Sequence, residues 1–121
     1  MVTRTVLVMD ADECMRELLR LHLCNAGYEV LEAEDAVVAG RLLLKRRPDL
    51  MLADIEVPYL SGLELVEAMK SDPSTAAVPV IFLTSRTEAE PRARELGAAA
   101  FLAKPLHVEN LLATIARHVK L

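Results

Sequence analysis

Five short apolar runs, each followed by a longer segment of helical periodicity, constrain this chain more than any other feature. The runs are TVLVM (5–9), YEVLEA (28–33), LMLA (50–53), VIFLT (80–84) and AAFLA (99–103). At four to six residues they match strands rather than helices, and TVLVM is rich in β-branched residues. TVLVM is a continuous apolar run, as strands covered on both faces are, whereas YEVLEA alternates apolar with polar positions. The intervening segments 12–27, 36–47, 61–71, 87–96 and 108–119 read as helices. Strand and helix alternating five times predict an α/β sandwich around a parallel sheet, with right-handed crossovers.

Local signals punctuate the helices. Asp12 stands at an N-cap position and Gly27 where a C′ glycine belongs. On the first helix Met15, Leu18, Leu19, His22, Leu23 and Ala26 fall on one face, so His22 reads as a half-buried packing residue rather than a ligand. Pro48 ends the second helix. Thr87 and Glu90 have the spacing of a capping box for the fourth, which Pro91 should shorten and Gly97 end. Leu111, Leu112, Ile115 and Val119 share a face of the last.

Composition narrows the possibilities. A chain of 121 residues that is 53% hydrophobic can bury a core as one domain over 1–121 without metal or disulfide staples. With two Tyr, two Phe and no Trp, that core should be aliphatic. A net charge of -4 argues against direct nucleic-acid binding, which calls for a basic stripe. The basic run Lys45 to Pro48 reads as a solvated helix end, where cations suit the helix dipole. Cys14 and Cys24 lie on one helix about 15 Å apart along its axis, too far for a disulfide. Free thiols and the absence of a signal peptide lead us to expect a cytoplasmic protein. No apolar run reaches the ~18 to 20 residues needed to cross a membrane. The three histidines lack the spacing of metal ligands.

Open parallel sheets bind ligands at the carboxyl ends of their strands. The residues at those ends are Asp10 and Asp12, then Asp54, then Thr84 and Ser85, and finally Lys104. Three carboxylates, two hydroxyls and an amine should therefore meet in one shallow cleft. Carboxylates held together repel unless a cation intervenes, and the available cations are Lys104 and a hard divalent metal. Singly, each residue also fits a cap or turn role, Asp12 above all. No glycine-rich phosphate loop follows the first strand, which argues against a nucleotide site.

These residues carry a resemblance. The segments VLVMDAD (6–12), PDLMLADIEVPYLSGLELV (48–66), VPVIFLTS (78–85) and GAAAFLAKP (97–105) resemble the response-regulator receiver domains of two-component signalling, end to end. The resemblance implies a flavodoxin-like, doubly wound fold with strand order 2-1-3-4-5. It implies that Asp54 is the phospho-acceptor, taking a phosphoryl group from a histidine kinase or phosphotransfer protein. Asp10, Asp54 and the backbone carbonyl of Glu56 match the Mg²⁺ ligands. Thr84 and Lys104 match the phosphoryl contacts, Phe101 the aromatic switch, and Lys104–Pro105 a cis peptide bond. A downstream protein would dock on the face of the fourth helix, fifth strand and fifth helix, and no external substrate would be turned over.

Ala11 departs from the family pattern, which places a second acid there as a direct metal ligand. A methyl group cannot coordinate, so Mg²⁺ would be held weakly, with water or the Glu56 side chain filling the gap. Two readings follow: a phosphorylation switch, which adds roughly one negative charge at Asp54, or a degenerate receiver that binds partners without phosphorylation. VLVMDAD also fits the first motif of haloacid-dehalogenase-type phosphatases. That reading lacks the acidic cluster such an enzyme needs after Lys104, where Glu109 stands alone, and it leaves Asp54 and the Pro58–Gly62 loop without a role.

Overall fold

The computed structural model describes residues 2–119. Five strands, β1 (Thr5–Met9), β2 (Glu29–Ala33), β3 (Leu50–Ala53), β4 (Val80–Thr84) and β5 (Ala100–Ala103), form one parallel sheet in the order β2-β1-β3-β4-β5. The helices are α1 (Glu13–Asn25), α2 (Ala36–Arg46), α3 (Gly62–Ser71), α4 (Glu90–Glu95) and α5 (Val108–His118), with a 3-10 turn at Thr87–Ala89 before α4. Strand order reverses between β1 and β3, so the cleft above their carboxyl ends is the switch point of the sheet.

Alternation of side chains along each strand divides the interior into two cores. Leu7, Met9, Met51, Ala53, Val80 and Phe82 meet α2, α3 and α4 on one face through Ala39, Leu43, Leu65, Val66, Met69 and Ala93. Val6, Val8, Leu50, Leu52, Ile81 and Leu83 meet Leu19 and Leu23 of α1 and Leu111 and Ile115 of α5 on the other. Each such Leu, Val or Ile taken from water contributes about 1.5–3 kcal/mol, which is how strands this short stay in register. The expectation of an aliphatic core needs correction, since Phe82 is wholly buried in one core and Tyr28 is buried in the other. Among the described residues no helix is long and apolar enough to cross a membrane.

Most caps form as the residue types dictate. Asp12 accepts from the amides of Cys14 and Met15, and Gly27 follows α1 at φ 98°. Ser61 and Glu64 make a reciprocal capping box on α3. The box expected at Thr87 and Glu90 does not form. Pro91 tolerates only the first positions of a helix, so α4 begins at Glu90 and Thr87 falls in the preceding turn. Leu18, expected on the apolar face of α1, is 40% exposed, because the stripe that packs on the core runs through Met15, Leu19, Leu23 and Ala26. His22 is half-buried, Cys14 and Cys24 are free and exposed, and Lys45, Arg46 and Arg47 are solvated.

Candidate functional site

Each residue at the cleft stands one position beyond a strand and has its backbone tied to a neighbouring strand. The Asp10 amide donates to Ala33 of β2, the Asp54 amide to Met9 of β1, and the Lys104 amide to Thr84 of β4. The sheet therefore fixes where these side chains start, and short side chains cannot stray far from there. Lys104 and Pro105 are joined by a cis peptide bond.

Three side chains meet. The Lys104 ammonium donates to Asp10 Oδ2 at 2.9 Å and to Asp54 Oδ2 at 2.8 Å, bridging residues 94 and 50 positions away. Both carboxylates are buried and Lys104 is largely so. The remaining oxygens are also engaged. Asp10 Oδ1 accepts from the Asp12 amide at 2.9 Å, and Asp54 Oδ1 accepts from the amides of Ile55 at 2.6 Å and Glu56 at 3.4 Å. Burial pulls the Lys104 ammonium toward the neutral form, but the hydrogen bonds to Asp54 and Asp10 and their charges outweigh this, so it titrates above the usual lysine value.

The other expected members are placed differently. Asp12 turns its carboxylate to the amides of α1, so two carboxylates rather than three face Lys104. Thr84 is fully buried, and its Oγ1 accepts from the Arg86 amide at 3.2 Å. Ser85 is exposed. Phe101 is half-buried, its ring centroid 6.2 Å from that of Phe82. Glu56 is exposed and lies 3.9 Å from Arg86, which pairs more closely with Glu88 at 2.6 Å. Glu56, Ala11, Pro58, Tyr59 and Arg86 line an open groove at the mouth.

The donors facing the cleft are hard oxygens, which suits Mg²⁺ in kind. They fall short in number, because Ala11 offers no oxygen from its side chain. Among the described residues no three of His, Cys, Asp and Glu are placed to share a metal.

Two further residues brace the cleft, Gly62 of the Pro58–Gly62 loop and Arg16, of which the sequence singled out only the first. Gly62 packs against the peptide following Asp54: its amide donates to the Ile55 carbonyl at 2.8 Å, and a Cβ there would sit 2.3 Å from the Asp54 carbonyl oxygen. Arg16 reaches back from α1 to donate to the Asp10 carbonyl at 2.6 Å. Helical side chains tilt toward the N-terminus, so a cation early in α1 pointed at the β1–α1 turn was the available signal.

The model of the response regulator receiver domain family matches residues 6–116. Over 117 residues the chain is 37% identical to the phosphate regulon transcriptional regulatory protein PhoB of Pseudomonas aeruginosa, covering 95% of this chain and 51% of PhoB. Over 116 residues it is 32% identical to the polar-differentiation response regulator DivK of Brucella ovis, covering 94% of each. It superimposes on the chemotaxis response regulator CheY4 of Vibrio cholerae with a TM-score of 0.90 at 31% identity, covering 98% of this chain and 100% of that one. The chain thus spans about half the length of PhoB and of RpaA of Synechocystis, and nearly all of DivK and CheY4. Taken with a parallel sheet whose switch point carries a bridged Asp–Lys–Asp trio, the match shows that this chain belongs to the response regulator receiver domain family.

Proposed function

We propose that the domain is a phosphorylation switch in which Asp54 is the acceptor and a histidine kinase or phosphotransfer protein the donor. A carboxylate oxygen of Asp54 attacks the donor's phosphorus, the P–N bond to the donor imidazole breaks, and an acyl phosphate forms. The observation that carries the reading is the Lys104 ammonium 2.8 Å from Asp54 Oδ2, a fixed cation beside the position where phosphoryl charge would collect.

Asp10, Asp54 and the Glu56 backbone carbonyl would hold Mg²⁺, with water completing the shell. Bound there, the cation would offset charge on the phosphoryl oxygens. Thr84 turns its hydroxyl from the Arg86 amide toward the new phosphate, and the space it vacates lets Phe101 move inward against Phe82. That change alters the face of α4, β5 and α5, where a downstream protein docks. The domain turns over no external substrate.

A second reading rests on Ala11. With two carboxylates balanced by one ammonium, the pocket attracts a divalent cation less strongly, and the domain would then bind its partner through the same face unphosphorylated. Incubation with phosphoramidate and Mg²⁺ separates the two. The switch reading expects intact mass to rise by one phosphoryl group in the wild type and not in Asp54→Asn. No adduct, with an ordinary receiver labelled alongside, would overturn it in favour of the second.

A further inference from the structure

We propose that Arg16 is a positioning residue for Asp10, its guanidinium clamping the Asp10 peptide and so holding that carboxylate against Lys104. The inference deepens the switch reading of the same pocket and rests on it for its consequence in phosphoryl transfer.

β1 ends at Met9, so the Asp10 carbonyl lies beyond the strand ladder. Arg16 Nη1 takes that carbonyl at 2.6 Å from a side chain that is only 14% exposed. Its Nε faces Glu32 of β2 at 3.5 Å, and Glu32 Oε2 is in turn 3.3 Å from Arg20 Nε. The guanidinium is thus braced from the sheet while it grips the turn, a task suited to a planar fork that donates in two directions.

The remaining polar groups of Asp10 are held as well: the amide by Ala33, Oδ1 by the Asp12 amide, Oδ2 by Lys104. Release of the carbonyl frees the 10–11 peptide to rotate, and the carboxylate swings with it. In this chain the consequence is sharpened by Ala11. Asp10 has no acidic neighbour to share its work, so an error in its placement falls wholly on Asp54 and Lys104.

The Asp12 amide reports the carboxylate directly, since it donates to Asp10 Oδ1. In Arg16→Met, hydrogen exchange at this amide should quicken about tenfold while the core amide of Val8 keeps its rate. Labelling of Asp54 by phosphoramidate should fall about ten- to a hundredfold, the loss typical of a misplaced catalytic group. Arg16→Lys should recover part of both, because one donor returns. Glu32→Ala, which removes the brace and keeps the clamp, should give a smaller change and serves if Arg16→Met does not fold. An unchanged Asp12 amide in the folded variants, or equal acceleration at Asp12 and Val8, overturns the proposal. If wild-type Asp54 is never labelled but the Asp12 amide responds, the switch reading fails and the positioning role stands.

Discussion

Replacing Gly62 with alanine tests whether the loop after β3 is packed as tightly as it looks. The added Cβ would lie 2.3 Å from the Asp54 carbonyl oxygen and 3.0 Å from the Ile55 Cα. Unstrained carbon contacts settle near ~3.5–4.0 Å, so about 1 Å of movement is required. The opposing atoms are backbone and cannot rotate aside. Overpacking of this kind costs about 1–3 kcal/mol. Moving the loop also loosens the 2.8 Å bond from Gly62 to Ile55, typically worth about 0.5–1.5 kcal/mol. Gly62 does not sit at positive φ, so alanine recovers about 0.4–1 kcal/mol through the unfolded chain. A net loss near 2.5 kcal/mol lowers the melting temperature of a domain this size by about 10 °C. Urea and thermal unfolding followed by circular dichroism measure it. Because the strain falls on the Asp54 peptide itself, phosphoramidate labelling should slow even well below the melting temperature. A variant that melts within about 2 °C of wild type and labels normally would refute the reasoning.

Ala11→Asp restores a carboxylate beside Asp10, and Mn²⁺ affinity, read from the electron paramagnetic resonance signal of the free ion, should rise at least about tenfold, or ~1.4 kcal/mol. Equal affinities would mean that Ala11 is not what weakens the metal position. The Lys104 bridge makes a pH prediction whose sign follows from its raised titration. A group that gains protons more readily when folded adds stability in full below its ordinary value near 10.5 and loses it as pH climbs through the folded value. The stability advantage of wild type over Lys104→Met should therefore hold from neutral pH to about 10 and shrink above it. Urea melts across that range check it, and a constant difference would count against the bridge.

Much of the fold was legible because it rests on local signals. The β4 run 80–84 was placed to the residue by an uninterrupted apolar stretch. Asp12, Gly27 and Pro48 marked helix ends through chemistry that acts over two or three residues. The miss at Thr87 and Glu90 has the same root. Capping-box spacing is a local pattern, but the start of α4 is set by Pro91 and by the turn that ties the Arg86 amide to Thr84. Leu18 was misassigned because a helical stripe does not reveal how wide a face the sheet will cover.

The sequence by itself determined the alternation of strand and helix, the two-sided burial of β1, and which residue types stand at the strand ends. Periodicity and chain chirality act along the chain, so they can be read from it. Only the tertiary structure decided that one ammonium bridges Asp10 and Asp54, and that Arg16 and Gly62 brace the peptides on either side. Those are contacts of a few ångströms between residues up to 94 positions apart, and a one-dimensional pattern holds no record of distance.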